Sequence, residues 1–167
     1  MYVEFKTDFF KRLQKVNKPS FMRRLVNRSG VVAVNFSKER FVKKDWLDGN
    51  SREAWKKRKK PDRGSLMVKS GRLKRSIRKL SEGDYFVYVG TDVPYAQIHN
   101  EGGKINKTIT VRTHSRTRKG RTETVKSHRR KMKMTMPKRQ FLGDSNALAK
   151  RIERFANVEI NNEIQKL

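Results

Sequence analysis

The excess of positive charge is the feature that most limits how this chain can fold. Its 167 residues include 43 lysines and arginines against 16 acidic residues, a formal net charge of +27. Charge of one sign repels itself and destabilises a compact isolated monomer. Only 34% of the residues are hydrophobic, which is low for a globular domain. We therefore expect one modest core, with other segments outside it as arms or interface surface.

A partner that carries negative charge would relieve this repulsion. Nucleic acid, an acidic membrane face and an acidic protein surface are the three candidates. No run of about 18 apolar residues is present, so no membrane-spanning helix is expected. Residues 1–10 include Glu4 and Asp8 and lack the long apolar stretch of a signal peptide. We expect synthesis and assembly in a bacterial-type cytoplasm, without a membrane partner.

The N-terminal part of the chain is predicted to be helical. Apolar residues recur every three or four positions over residues 2–17 and again over residues 20–26, which is typical of amphipathic helices. The run at residues 31–41 could form a helix or a strand, and we favour the helix. Residues 45–65 are predicted to be a polar loop in which Trp46 and Trp55 plug the edge of the core; the alternative is that one of them anchors a partner.

The remainder of the chain predicts an α+β fold in which helices flank a small antiparallel sheet. We divide the whole chain into two parts, residues 1–64, a helical region with a basic loop, and residues 65–167. Both parts are expected to form one structural domain. The elements predicted after residue 65 are a short helix capped by Ser70 with Leu73, Ile77 and Leu80 on one face, a strand at Tyr85–Val89, a short helix at Tyr95–Asn100, a long β-hairpin at residues 105–136, and a final helix capped by Asp144 or Ser145.

Residues that could support catalysis or bind a metal are few and scattered. The chain has no cysteine, and its three histidines, His99, His114 and His128, lack the spacing of a zinc site. We expect His99 to make a structural hydrogen bond. Asp92 and Glu101 are expected to cap a turn rather than to act as an acid pair. No phosphate-binding glycine loop is present, so we predict no catalytic residue, no metal site, no cofactor and no enzymatic activity.

The predicted hairpin holds a large share of the charge. Between Arg112 and Arg139 twelve lysines and arginines stand against one acid, Glu123. These cations could contact phosphates without reading bases, dock on an acidic neighbouring subunit, or remain solvated. Because no aromatic residue occurs between Arg112 and Arg139, base stacking is disfavoured. The candidate contacts to DNA or a partner are Arg112, Arg116, Arg118, Lys119, Arg121, Lys126, Arg129, Arg130 and Lys131.

Three motifs follow one another along the chain. They are Ser-Gly-Arg-Leu within residues 69–77, Gly-Thr-Asp-Val-Pro-Tyr-Ala-Gln-Ile-His-Asn-Glu-Gly-Gly within residues 89–103, and Pro-Lys-Arg-Gln-Phe-Leu-Gly within residues 136–145. In this order they resemble the phage virion morphogenesis family, and within it the Mu G-like tail completion or head–tail joining proteins. The motif residues to which we assign scaffold roles are Gly71, Arg72, Leu73, Gly90, Pro94, Tyr95, Ile98, His99, Gly102, Gly103, Pro137, Phe141, Leu142 and Gly143.

The motif residues also suggest how the scaffold is built. The turn at Pro94 is expected to present Tyr95, Ile98 and His99 to the core, and Gly102 with its neighbouring glycine to let the backbone reverse into the hairpin. Pro137, Phe141 and Leu142 are expected to anchor the return of the hairpin before the last helix.

The resemblance implies a structural protein rather than an enzyme, and no catalytic residue carries over from it. Such a protein would lie at the neck or tail end of a virion, as a ring of its own copies. Its neighbours would be head connector or neck proteins and tail tube or tail terminator proteins, with the phage DNA backbone as a further candidate contact. The alternative interpretation is a nucleic-acid-binding protein without sequence preference.

Overall fold

One long helix, α1, forms the support for the rest of the fold. It runs from Pro19 to Lys43 in the computed structural model, which describes residues 16–59 and 63–166. Proline suits the first turn of a helix because its missing N–H needs no partner there. The helical prediction for residues 31–41 is confirmed. The helix predicted for residues 2–17 lies almost wholly outside the described residues.

Gly30 interrupts the side-chain surface of α1 without interrupting the helix. The residue is buried, and a Cβ atom added to it would lie 2.7 Å from Cγ2 of Val87 and 2.9 Å from Cδ of Lys79. Glycine normally costs about 1 kcal/mol in a helix interior relative to alanine. Here its small size lets two strands approach the helix backbone closely.

A β-hairpin follows α1 where the sequence predicted a loop. Strands β1 (Asp45–Asp48) and β2 (Ser51–Ala54) pair antiparallel across a two-residue turn. Gly49 opens this turn with φ +56°, a conformation that glycine adopts without strain. The loop prediction failed because short strands carry little period-two signal, and β2 is wholly exposed.

The segment after residue 71 is part helix and part strand. Helix α2 covers only Arg72–Ser76, and strand β3 begins at Arg78 and ends at Glu82. The predicted cap is wrong, because Gly71 with φ +75° occupies the N-cap position and no side chain caps the helix. Leu80 is also not on a helical core face, since 51% of its surface is exposed.

A second antiparallel pair of strands is joined to a projecting arm by a short helix. Strand β3 pairs antiparallel with β4 (Val87–Gly90), and helix α3 (Ala96–Glu101) follows. The arm itself is a hairpin in two sections. Strands β5 (Gly103–Val111) and β8 (His128–Met136) form its inner section, and β6 (His114–Arg118) and β7 (Arg121–Val125) form its outer section. The predicted hairpin is confirmed, and its first strand begins at Gly103, two residues before the predicted start.

The last helix, α4, spans Asn146–Gln165 and packs along α1. Ser145 caps it, since its Oγ accepts a hydrogen bond from the backbone N–H of Leu148 at 3.2 Å. That confirms one of the two predicted caps. Ion pairs join the two helices, among them Arg24 with Glu163 at 2.8 Å. Helices at both ends of the described chain and small antiparallel sheets between them confirm the α+β class.

Two clusters of buried side chains hold these elements together. The larger one contains Phe41, Leu73, Ile77, Val93 and Phe141 with Trp55 and Ala96, and the smaller one contains Phe36, Trp46 and Ala147. Both tryptophans are buried, as predicted. Aromatic edge contacts order the clusters, with Phe41 and Trp55 ring centroids 5.4 Å apart.

A charged side chain lies inside this hydrophobic interior. Arg40 is wholly inaccessible to solvent and donates from Nη1 to Oδ1 of Asp45 at 2.8 Å. Its Nη2 lies 3.0 Å from the carboxylate of Glu39, and its guanidinium lies over the ring of Phe36 at 4.8 Å. The hydrogen bond from Arg151 holds the pKa of Glu39 below its ordinary value, and the charges of Arg151 and Arg40 add to this. Among the described residues, Nε and Nη2 of Arg40 have no aligned hydrogen-bond acceptor.

Candidate assembly interface

The three sequence motifs meet in the larger core cluster. Leu73 of the first motif, Val93 of the second and Phe141 of the third are all buried there. Phe141 is fully buried, and Leu142 packs against the same cluster. The motifs are therefore close in space although about 70 residues separate the first from the third.

Asn100 fastens the second motif to the third. Its Oδ1 accepts hydrogen bonds from the backbone N–H groups of Phe141 and Leu142, each at 2.9 Å. Its Nδ2 donates to the carbonyl of Leu142 at 3.0 Å. A single side chain thus satisfies three backbone groups of a segment that forms no helix or strand. Asn100 is not among the functional residues predicted from the sequence, because a hydrogen-bonding role of this kind leaves no periodic signal.

Replacing Asn100 with alanine is expected to lower the free energy of unfolding by about 2–4 kcal/mol, because partly buried backbone groups lose their partners. Urea denaturation followed by tryptophan fluorescence measures the change. Gln97→Ala is a matched control on the same helix, because Gln97 is exposed and donates to the exposed Glu101. An equal effect of the two substitutions would contradict the role assigned to Asn100.

Two glycines turn the chain from α3 into the arm. Gly102 has φ +75° and ψ −174°, a combination that is essentially restricted to glycine. A Cβ atom at Gly102 would lie 2.7 Å from the backbone nitrogen of Lys138. Gly103 follows with φ +141°. The predicted reversal at these glycines is confirmed, and it fixes where the arm leaves the body.

Tyr95 and His99 line a small cavity between the first two motifs. The cavity has a volume of about 220 Å³, and Gly71, Arg72 and Leu73 form part of its wall. Tyr95 is 40% exposed, so the prediction that it faces the core is wrong. Its ring instead meets His99 edge-on at a centroid distance of 5.9 Å, because Ala96 takes the buried position of this turn.

His99 is placed for packing rather than for hydrogen bonding through Nδ1. Among the described residues Nδ1 is buried without a partner, so the predicted hydrogen bond is not made by that atom. The backbone carbonyl of His99 instead accepts from the N–H of Arg139 at 2.9 Å. Burial lowers the pKa of His99 below its ordinary value, and the positive charge of Arg139 adds to the effect.

The lowered pKa of His99 predicts a pH-dependent stability. Since the unfolded chain binds the proton more readily than the folded one, the free energy of unfolding should fall as the pH drops below about 6.5. Urea denaturation at pH 7.5 and 5.5 measures the fall while staying above the titration range of Glu39. His99→Gln should reduce the pH dependence, whereas His114→Gln, in the exposed arm, should keep it. An unchanged pH dependence in His99→Gln would contradict the prediction.

The inner section of the arm, which we call the arm ribbon (103–111 and 128–136), has two chemically different faces. Directly opposed residues of an antiparallel pair share a face. One face therefore carries Ile105 opposite Met134, Lys107 opposite Met132, and Ile109 opposite Arg130. We call it the apolar face. The opposite face carries polar pairs throughout, which are Lys104 with Thr135, Asn106 with Lys133, Thr108 with Lys131, and Thr110 with Arg129.

The nine predicted contact cations all belong to the arm, and all are exposed. The structure does not bring them into one patch. Arg129 and Lys131 lie on the polar face of the ribbon and Arg130 on the apolar face. Arg118, Lys119 and Arg121 lie at the tip, Arg112 and Lys126 lie between the two sections, and Arg116 pairs with Glu123. Their contact to DNA or to a partner stays a prediction.

Three arm lysines complete this surface but were absent from the predicted contact set. Lys104 and Lys133 extend the polar face, and Lys107 stands on the apolar face beside Met132. The period-two alternation around Met132 could have assigned Lys133 to a face. Lys104 and Lys107 needed the cross-strand register, which the sequence does not reveal.

A groove of about 460 Å³ lies beside α3, between the second and third motifs. We call it the motif groove. Leu80, Pro94 and Leu142 supply apolar wall, with Phe141 beneath them, and Asp92 and Glu101 supply negative charge. Asp92 and Glu101 are exposed, and the contact of Asp92 with Arg78 is long, at 3.4 Å. Sequence reasoning assigned these acids to turn capping and missed the groove.

Exposed aromatic side chains stand on the β3–β4 hairpin, which also supplies Leu80 to the motif groove. Tyr85, Phe86 and Tyr88 are all exposed, Tyr85 by 75%. Phe86 and Tyr88 stack at a tilt with centroids 5.3 Å apart. Contiguous exposed apolar surface on a soluble protein is typical of an interaction site.

Neither a metal site nor a membrane span is found in the part of the chain that the structure describes. No group of three or more histidine and acidic side chains there could hold a metal ion. None of the helices there is long and apolar enough to cross a membrane.

The geometry defines an α+β scaffold, closed by its three motifs, that carries a projecting β-arm. The sequence model of the phage virion morphogenesis family matches residues 6–160, so the chain belongs to the phage virion morphogenesis family. The match includes α1 as well as the three motifs. It supports a structural or assembly role in the phage virion. No curated protein and no solved structure matches the chain.

Proposed function

We propose that this chain acts at the neck or tail end of the virion, as a tail completion or head–tail joining protein that assembles into a ring of its own copies. The observation that carries the proposal is the arm. Strands of nine residues span about 30 Å, and β5 and β8 pack chiefly on one another. An apolar face on such an arm is suited to contacts outside its own chain.

Besides further copies of the chain, the proposed partners are head connector or neck proteins on one side and tail tube or tail terminator proteins on the other. Membership of a virion morphogenesis family supports the setting. A ring also provides a use for surface that a monomer leaves exposed, such as Tyr85 and Tyr88. Rings arise when the contact joins two different surfaces of the same chain and the rotation closes.

Light scattering and electron microscopy of the purified protein, with and without a tail or connector protein of the same phage, test this function. We expect a closed assembly of several copies, or a stable complex with one of those proteins. A chain that stays monomeric at high concentration and binds neither class of protein would contradict the proposal.

The polar face of the arm ribbon supports a second candidate function, contact with the DNA backbone. Arg129, Lys131 and Lys133 occupy every second position on that face, and such cations can contact phosphates without reading base edges. Affinity for duplex DNA should fall steeply with salt, and the log–log slope should drop by about 1.8 in a Lys131→Glu, Lys133→Glu variant that loses two phosphate contacts. Undetectable binding at low salt would remove this candidate.

A further inference from the structure

We propose that the apolar face of the arm ribbon of one copy docks into the motif groove of a second copy. This contact rests on the proposed assembly of copies and names the two surfaces that would make it. One surface is apolar with positive charges and the other is apolar with negative charges. Both surfaces lie on the same chain, so the second copy supplies a complementary partner without any other protein.

The apolar face supplies hydrophobic contact with cations at fixed places. Ile105 and Met134 oppose each other across the ribbon, and Met134 is 43% exposed. Lys107 and Arg130 stand on the same face. Methionine side chains are flexible and adapt to irregular apolar surfaces, while the two cations favour an acidic partner surface.

The motif groove supplies the matching chemistry. Leu80, Pro94 and Leu142 form its apolar part, and Asp92 and Glu101 place two carboxylates at its edge. Glu159 pairs with Arg28, and Glu163 pairs with Arg24 at 2.8 Å, whereas the contact of Asp92 with Arg78 is longer, at 3.4 Å. On a chain with a net charge of +27, an exposed apolar groove flanked by two acids is a favourable place for a cationic ribbon.

The arm of the same copy is badly placed to fill this groove. The ribbon starts at Gly103, two residues after Glu101 of the groove, and its two strands pack chiefly on one another. A paired ribbon about 30 Å long does not fold back onto its own base. A second copy meets no such restriction.

The size of the contact sets how it should be detected. A ribbon face about 30 Å long and 10 Å wide covers roughly 300 Å², well below the ~800 Å² per partner of a standard interface. One docked arm should therefore bind weakly, and several arms in a closed assembly should bind firmly. Covalent trapping detects the weak form as well as the firm one.

Cross-linking of single-cysteine variants tests the docking directly, because the natural chain has no cysteine. Full-length Met134→Cys is mixed with full-length Leu80→Cys that carries a mass tag, under mild oxidation. We expect a cross-linked band of mixed mass. Lys133→Cys in place of Met134→Cys is the matched control, because residue 133 is adjacent but lies on the opposite face. Equal cross-linking by both, or none by either, overturns the proposal.

Charge reversal supplies a second measurement. Asp92→Lys with Glu101→Lys should lower the yield of the mixed band by at least about fivefold, and Lys107→Glu with Arg130→Glu on the other chain should restore it. Glu53→Lys with Glu153→Lys makes the same change in net charge at exposed sites outside the groove and should leave the yield unchanged. An equal loss in this control overturns the docking.

The two proposals fail in different ways. A ring seen by electron microscopy without the mixed band overturns the docking and keeps the proposed function. A mixed band in a closed dimer keeps the docking and contradicts the ring. A monomer that gives no mixed band and binds neither a tail protein nor a connector protein contradicts both.

Discussion

Replacing Asp45 with alanine is expected to lower the free energy of unfolding by about 3–5 kcal/mol. Arg40 is fully buried, and Asp45 holds it by a 2.8 Å hydrogen bond. Without Asp45, the guanidinium of Arg40 keeps the 3.0 Å ion-pair contact between its Nη2 and Glu39. That contact is not an aligned hydrogen bond, because Nη2 has no aligned acceptor among the described residues. A buried charge that has lost its main partner costs far more than a surface pair contributes.

Urea denaturation followed by tryptophan fluorescence measures this effect, because Trp46 and Trp55 are both buried in the native chain. Urea is preferred to guanidinium, which is itself a salt and would screen the charges. Arg52→Ala is the matched control, since Arg52 contacts the other oxygen of Asp45 at 2.9 Å but is 59% exposed. It should cost about 1 kcal/mol or less. An equal cost for the two variants would show that burial of Arg40 does not decide the energy.

A double substitution separates loss of the pair from loss of packing. Replacing Arg40 with methionine and Asp45 with leucine removes both charges and keeps most of the volume. Exchange of a buried ion pair for apolar residues is often neutral or stabilising. We therefore expect the double variant to recover most of the stability that Asp45→Ala loses. Failure to recover it would assign the cost to packing.

Replacing Gly102 with alanine is expected to cost about 3 kcal/mol or more. The backbone angles of Gly102 are those of a glycine-only region, which a side chain occupies at a cost of about 1–3 kcal/mol. The added Cβ would also meet the backbone nitrogen of Lys138 at 2.7 Å, and a backbone contact of that kind cannot be relieved by a rotamer change. The substitution should therefore destabilise the body and displace the base of the arm.

Gly120→Ala is the control for this prediction. Gly120 lies at the tip of the arm with φ +76°, and, apart from its two chain neighbours, no described residue has an atom within 4 Å of the place that an added Cβ would take. Its replacement carries the strain of a left-handed residue, about 1–2 kcal/mol, but no clash. We expect the urea midpoint of the body to stay in place for Gly120→Ala and to fall for Gly102→Ala. A small change in the urea midpoint for Gly102→Ala would contradict the close approach of the Gly102 backbone to Lys138.

The elements that sequence reasoning located correctly have strong local signals. The hairpin at residues 105–136 alternates with period two, and Ser145 precedes an apolar stripe in the manner of a helix cap. The run at residues 31–41 was correctly predicted to be helical, and in the structure it continues α1 beyond Gly30. Among the elements it missed, β2 and β3 are largely exposed strands of four and five residues. Their pairing partners, rather than their own composition, make them strands.

In the candidate interface, too, some features can be located from local sequence patterns and others only from the fold. Met132 and Met134 alternate with Lys133 in the sequence, but which lysines share the face of the methionines depends on the register of β5 against β8. The motif groove was invisible in the sequence, because Leu80, Asp92 and Leu142 come together only when the β3–β4 hairpin, α3 and the third motif pack around Phe141.

The sequence by itself determined the charge, the α+β class, the position of the arm and the three motifs that mark the family. Those properties are written in composition, in short periodic patterns and in glycine and proline at turns. Only the tertiary structure decided that Arg40 is buried, that Tyr95 faces a cavity, and that two acids border an apolar groove. Burial and proximity depend on contacts between residues far apart in the chain, and local patterns carry no record of them.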